Sequence, residues 1–282
     1  MPHLMTKRCF LPFLLWLLTA LPGCETVRTT HTGTTGVQRQ QKMSMILSEK
    51  QINDMSQEHY AQVLTKGRKN NTLNRDTLIL KRLRRIADRL IQQTPVFRAD
   101  ASHWSWEVNL IQDKQLNAYC MPGGKIIFYS GIIETLSLND DEIAAIMGHE
   151  MAHALREHGR EGMSRTFAIE MGKNLILLAL GNVDDYIKDM ADTVVGYTLS
   201  MPHSRTMESE SDVIGLELMA RAGYNPRSAI NVWKKMTVQN KNTPPEFMST
   251  HPSHETRITE LESLIPKVEP LYQKAVNPIS HH

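Results

Sequence analysis

Two histidines four residues apart, with a glutamate directly after the first, carry the clearest chemical capacity in this chain: His149-Glu150-Met-Ala-His153. On a helix, positions i and i+4 share one face, so both imidazoles can point at one zinc ion. Glu150, next along the helix, is placed to act as general base toward water at that metal. The element that must position them is a helix, and the sequence supplies one. Asn139 is a candidate N-cap, and Glu142 stands three residues on, the pattern of a capping box. Ile143, Ile146, Met147, Met151 and Leu155 recur at helical spacing. Gly148, just before His149, lets a second segment approach the ligands closely.

A catalytic zinc needs a third protein ligand and keeps one position open. Glu208 is the best candidate. It lies in an amphipathic run from Ser204 that Gly223 terminates, and Asp212 follows one turn further on. Asp212 is placed to accept an N–H from a ligating histidine, which would fix the tautomer of that ring. Glu210 points elsewhere on the helix and is the weaker candidate.

The remaining elements follow from periodicity and breakers. A helix is predicted over Met43 to Lys66 with Gly67 as its stop, and a second over Leu73 to Gln93. The second carries Lys81, Arg82, Arg84, Arg85 and Arg89. Such a run reads as a solvated face, with contact to anionic lipid headgroups as the alternative. Trp104 to Leu110 alternates as a strand. Asn117 to Met121 and Ile126 to Tyr129 are strands joined by a Pro-Gly-Gly turn, and Gly131 to Leu138 is a short helix. An apolar helix is predicted over Met163 to Leu180, and another helix over Asp184 to Leu199. A further helix starts at Asn225-Pro226, and a last one carries Ile258, Leu261 and Ile265 on one face. The sum is a mainly helical α+β domain over 43–268 with a small β-sheet beside the histidine helix, then a tail over 269–282.

The 282 residues, 41% hydrophobic and 22% charged, suit a globular protein. A formal charge of +2 and no clustered basic reading motif argue against a nucleic-acid partner. Lys7 and Arg8 precede an apolar run from Phe10 to Leu21, too short for a membrane span. It ends in Leu21-Pro-Gly-Cys24, which resembles a bacterial lipobox, so 1–23 reads as a signal peptide and Cys24 as the lipidated residue. Glu25 after the cysteine favours the outer membrane. An ordinary signal peptide, leaving a soluble periplasmic protein, is the alternative. Residues 24–42, rich in Thr, Gly and Gln, read as a flexible tether. Cys120 would then stand alone, as a small buried apolar residue and without a disulfide.

Taken together, His149-Glu150-x-x-His153 and Ser204-Arg205-x-x-Glu208-x-Glu210-x-Asp212 resemble a known family of zinc endopeptidases. It includes the CAAX prenyl protease, HtpX, BepA and LoiP. Asn117 to Lys125 resembles the strand and turn before the metal helix in that family. His251-Pro252 with Arg257 resembles its late H-P-x-x-x-x-R motif, and the motifs occur in the family's order. The resemblance implies a gluzincin-type domain with zinc ligands His149, His153 and Glu208, general base Glu150, and one zinc per chain. Ser211 stands where the family usually has Ala. Without several membrane spans or a helical-repeat domain, the chain is most similar to the compact periplasmic lipoprotein type.

The expected reaction is metal-assisted hydrolysis of peptide bonds in envelope proteins, misfolded or unassembled ones, as periplasmic quality control. His251 and Arg205 are the candidates, from motif position, to support the oxyanion. His251 is also a candidate fourth ligand when substrate is absent. The Asn117 to Tyr129 hairpin is expected to take substrate as an added strand. Two rivals stand beside this reading. One is a non-catalytic chaperone or scaffold lipoprotein; the other is a zinc hydrolase acting on a non-peptide bond.

Overall fold

Asn139 caps the central helix as its sequence predicts. Its side chain accepts from the Glu142 N–H while the Glu142 carboxylate receives the Asn139 N–H. Three acidic residues fill the first turn, where they favour the positive end of the helix dipole. The computed structural model describes residues 24–45, 47–173, 202–240, 246–252 and 256–277. The signal peptide read over 1–23, the helix read over 184–199 and the end of that over 163–180 lie outside the described residues.

The elements in chain order are β1 (Cys24–Val27), β2 (Gln41–Ser44), α1 (Glu49–Lys69), α2 (Thr77–Ile91), β3 (Glu107–Ile111), β4 (Ala118–Met121) and β5 (Lys125–Tyr129). Helices α3 (Ser130–Thr135), α4 (Asp140–Leu155), α5 (His158–Lys173), α6 (Arg205–Arg221), α7 (Arg227–Asn240), α8 (Glu246–Thr250) and α9 (Arg257–Val276) follow. The architecture is mainly helical α+β. Helix α4, buried from Glu142 to Leu155, is the axis of the core.

Strands β3, β5 and β4 form one sheet in that order, β3 parallel and β4 antiparallel to β5. The β4–β5 turn needs left-handed backbone at Gly123 (φ 78°) and Gly124 (φ 84°), which only glycine adopts without strain. Ala118 and Cys120 point to the α4 side and join the main core. Tyr119 and Met121 point the other way, into a smaller cluster with Tyr60 of α1. Strand β4 is one of the two outer strands, so its far edge is unpaired within the sheet. Cys120 is buried, and that burial pushes its thiol well up, in keeping with an apolar packing role.

Several expectations need correction. The stretch read as a flexible tether is folded. β1 and β2 pair antiparallel, and the segment between them crosses the domain as a strap. Its polar composition feeds buried carboxylates. Thr34 and Thr35 donate backbone N–H groups, and Thr35 its hydroxyl, to Glu217, which is fully buried. Arg39 pairs with Glu161 and Glu210. The domain therefore begins before residue 43, and the helix read from Met43 starts at Glu49 behind a Ser48 capping box.

Gly67 does not stop α1, which runs on to Lys69. Gly67 is buried there against Ile111 and Leu73, on which a side chain would press. At the other end, α9 continues through Pro266 and Pro270 to Val276 instead of thinning into a tail. Burial of Ile265 and Val268 outweighs the helix bonds that the two prolines forgo.

The basic run on α2 is largely used within the fold. Arg82 and Arg85 pair with Asp140 at the start of α4, and Arg89 lies 4.1 Å over the Tyr224 ring. Among the described residues, no helix is long and apolar enough to cross a membrane.

Candidate metal centre

Helices α4 and α6 build the centre because their backbones nearly touch. A Cβ on Gly215 would come within 2.7 Å of the His149 backbone nitrogen, and one on Gly148 within 3.0 Å of the Gly215 carbonyl oxygen. This close crossing sets Glu208, on the first turns of α6, opposite the two histidines of α4. His149, His153, Glu208 and His251 each offer a donor atom, all within 4.8 Å of one another and all buried.

The spacings suit a cation. His149 Nε2 and His153 Nε2 are 3.1 Å apart. Glu208 lies 3.3 Å from His153 Nε2 and 3.6 Å from His149 Nε2 through its two oxygens. Tetrahedral zinc with bonds of about 2.0–2.1 Å separates its ligand atoms by about 3.3 Å. Glu208 Oε1, Glu150 Oε1 and His251 Nε2 are buried without hydrogen-bond partners. Buried polar atoms are rarely left so. A divalent cation with its remaining ligands would satisfy them, so the donor set fits zinc.

Around the ligands the chain supplies orientation. Asp212 Oδ1 lies 3.0 Å from His149 Nδ1, as its position one turn after Glu208 predicts. Arg257, only 1% exposed, donates to both Asp212 oxygens and to Glu208 Oε2 at 2.8 Å, and its guanidinium stacks 3.5 Å over Trp233. Burial alone would raise the Glu208 carboxyl, but His251, His149 and Arg257 hold it below the ordinary glutamate value. Arg205, by contrast, is the exposed first residue of α6, and no bond joins it to the cluster among the described residues. The positive group at the centre is Arg257.

Glu150 lines the cleft with His251, His203, Asn117 and Cys120. Burial, then the charge of Glu208, pushes its carboxyl well up, while the Cys120 backbone N–H opposes that rise. His251 Nε2 comes to 3.3 Å from Glu150 Oε1.

Two histidines here escaped the sequence reading. His203 lies beside His153, ring centroids 4.1 Å apart, with a buried Nδ1 that lacks a partner. His158 is fully buried and contacts His153 Nδ1. The signal for His158 was its place after a helix break, where Glu157 takes a left-handed φ of 51° and turns the chain back toward the ligands. Glu210, ranked below Glu208 as a ligand, faces His158 and not the cluster.

Two histidines one turn apart with a glutamate between them on one helix, a third metal-binding residue on a crossing helix, and an edge strand beside them define a zinc-peptidase domain. The chain belongs to peptidase family M48, whose model matches residues 80–265. Over 155 residues it is 37% identical to the mitochondrial metalloendopeptidase OMA1 of Arabidopsis thaliana, covering 54% of this chain and 30% of that protein. It is 34% identical over 178 residues to the Saccharomyces cerevisiae protein of that name, 60% and 50% covered. The beta-barrel assembly-enhancing protease of Escherichia coli is 26% identical over 172 residues, 57% and 35% covered. The chain thus spans between about a third and half of the length of these relatives.

Proposed function

We propose that this protein is a zinc-dependent endopeptidase that cleaves extended or unfolded segments of other proteins. The observation that carries this is the placement of Glu150. Its unpartnered oxygen faces a four-donor cluster in a cleft that β4 also lines. His149, His153 and Glu208 would hold zinc, which would supply a Lewis acid for the scissile carbonyl and for water. Glu150 takes the proton from that water and returns it to the leaving amine. The far edge of β4 holds its Ala118 N–H on Asn117 Oδ1 and its Cys120 N–H on Glu150; an extended chain that replaced these partners would gain affinity with little sequence preference. Arg257 holds Glu208 and Asp212 and does not contact substrate. His203 presents an imidazole to the cleft and is the second group there able to contact a bound chain.

His251 is read as a resting-state latch. Its Nδ1 lies 3.1 Å from the Phe247 carbonyl oxygen, an acceptor, so that nitrogen carries the proton. Nε2 is then a lone pair aimed at the cluster, able to ligate and unable to donate to an oxyanion.

The setting is proposed from the sequence. Cys24 carries lipid after removal of 1–23 and anchors the domain on the periplasmic side of the outer membrane, in the manner of the compact lipoprotein members. Cys24 is exposed at the start of β1, as an attachment point must be. The substrates are misfolded or unassembled envelope proteins. Digestion of an unstructured protein, with and without chelator, tests the reading. Chelator-sensitive cleavage at internal bonds supports it, whereas binding without cleavage favours the chaperone or scaffold alternative.

A further inference from the structure

The strap and the metal ligands are joined by an uninterrupted polar chain that the peptidase reading does not use. It starts at Glu210 on α6, whose carboxylate is gripped by two arginines. Arg156 Nη2 donates to Oε2 at 2.9 Å, and Arg39, on the strap between β1 and β2, donates to Oε1 at 2.6 Å and to Oε2 at 2.9 Å. His158 Nε2 faces the same Oε2 at 3.1 Å. The other nitrogen of that ring, Nδ1, lies 3.0 Å from Nδ1 of the ligand His153.

The proton positions follow from donor and acceptor roles. A carboxylate can only accept, so the His158 Nε2 that faces Glu210 carries the hydrogen. In the neutral ring, Nδ1 of His158 is then an acceptor. The atom facing it, His153 Nδ1, must carry a hydrogen in turn. That leaves the lone pair of His153 on Nε2, the atom turned to His149 and Glu208. Ser211 Oγ lies 3.2 Å from His158 Nδ1 and adds a polar contact at the same joint. His158 and Arg156 are fully buried and Glu210 is 7% exposed, so water does not compete for these roles.

We propose that His158, Glu210 and the strap residue Arg39 are positioning residues for the metal ligand His153, fixing its tautomer and ring orientation, so that the strap is part of the metal site. This rests on the reading of His149, His153 and Glu208 as zinc ligands. The arrangement parallels Asp212 behind His149, but is longer by one imidazole and ends on a segment far from the ligands in sequence. Such outer partners change metal affinity by about 10- to 100-fold when removed.

The experiment compares zinc affinity, by competition with a chromophoric chelator, and the visible spectrum of the cobalt-loaded protein. The variants are His158→Phe, His158→Asn, Arg39→Gln and a remote control, Arg82→Ala, with folding followed by circular dichroism. His158→Phe keeps ring volume and loses both polar contacts; it should weaken zinc about 10- to 100-fold and alter the cobalt spectrum. His158→Asn packs worse but keeps an oxygen able to accept from His153, so it should retain more affinity than Phe even where it is less stable. Arg39→Gln, the outermost member, should weaken zinc measurably but less than His158→Phe, and Arg82→Ala not at all. Affinities that match wild type in both His158 variants, or that simply follow thermal stability across all four proteins, overturn the proposal. Should the His158 variants fail to fold, an unchanged affinity and cobalt spectrum in Arg39→Gln overturn it alone. A wild-type protein that binds no zinc defeats the ligand reading itself; wild-type binding with unaffected variants defeats only the chain to the strap.

Discussion

Gly148 on α4 and Gly215 on α6 meet backbone to backbone, and this contact sets the distance between the histidine helix and the glutamate helix. Any side chain at Gly215 would strike the His149 backbone, which cannot give way without moving the ligand. Gly215→Ala is expected to destabilise the fold by about 1–3 kcal/mol and to weaken zinc binding at the same time. Denaturant titration and a zinc competition assay check the two effects together.

Arg257 is buried against two carboxylates, so its loss leaves uncompensated charge. Arg257→Ala should cost about 3–5 kcal/mol of stability, or prevent folding without metal. Arg257→Lys should restore only part, since an ammonium cannot span Asp212 and Glu208 with a planar fork or stack on Trp233 in the same way. Urea midpoints of the three proteins measure this.

His251 distinguishes a latch from a group that supports the transition state. With Nδ1 bonded to the Phe247 carbonyl and Nε2 turned inward, the latch reading predicts that His251→Ala retains zinc and cleaves a short peptide faster than wild type. A fall in kcat with KM unchanged would assign it to the transition state instead.

The strap makes acid stability a readout of its anchors. Burial alone would raise Glu161, Glu210 and Glu217, but their hydrogen-bonded partners hold all three below the ordinary glutamate value, Glu210 at about 2. Depressed folded values stabilise the protein above the unfolded value, and this contribution is lost as pH falls through the folded ones. The wild-type urea midpoint should therefore hold from neutral pH to about pH 5, then drop as pH falls below the ordinary glutamate value toward the folded ones, that of Glu210 at about 2. Arg39→Gln, with two of these carboxylates less strongly held, should show a shallower acid dependence.

Much of the centre was legible because it is local. The capping box at Asn139, the i to i+4 histidines and the Pro-Gly-Gly turn each declare themselves within a few residues, and all appear as read. Glu208 and Asp212 were legible as a helical pair. The strap was not, because its polar sequence looks like a linker until its partners are known. Those partners, Glu161, Glu210 and Glu217, lie more than a hundred residues further along the chain. Arg205 and Arg257 illustrate the same limit. Both belong to motifs, and only packing shows that Arg205 is exposed while Arg257 is enclosed. Gly67 and the two prolines of α9 were read as breakers from local propensity, which tertiary burial overrode.

The central claim is that Glu150 acts as the general base at a zinc held by His149, His153 and Glu208. The most direct measurement pairs zinc content with cleavage of an unstructured protein in wild type and Glu150→Gln. About one zinc per chain is expected in both proteins. Chelator-sensitive cleavage is expected in wild type, with turnover lowered by at least about 100-fold in Glu150→Gln. Full activity in a zinc-loaded Glu150→Gln protein would contradict the account.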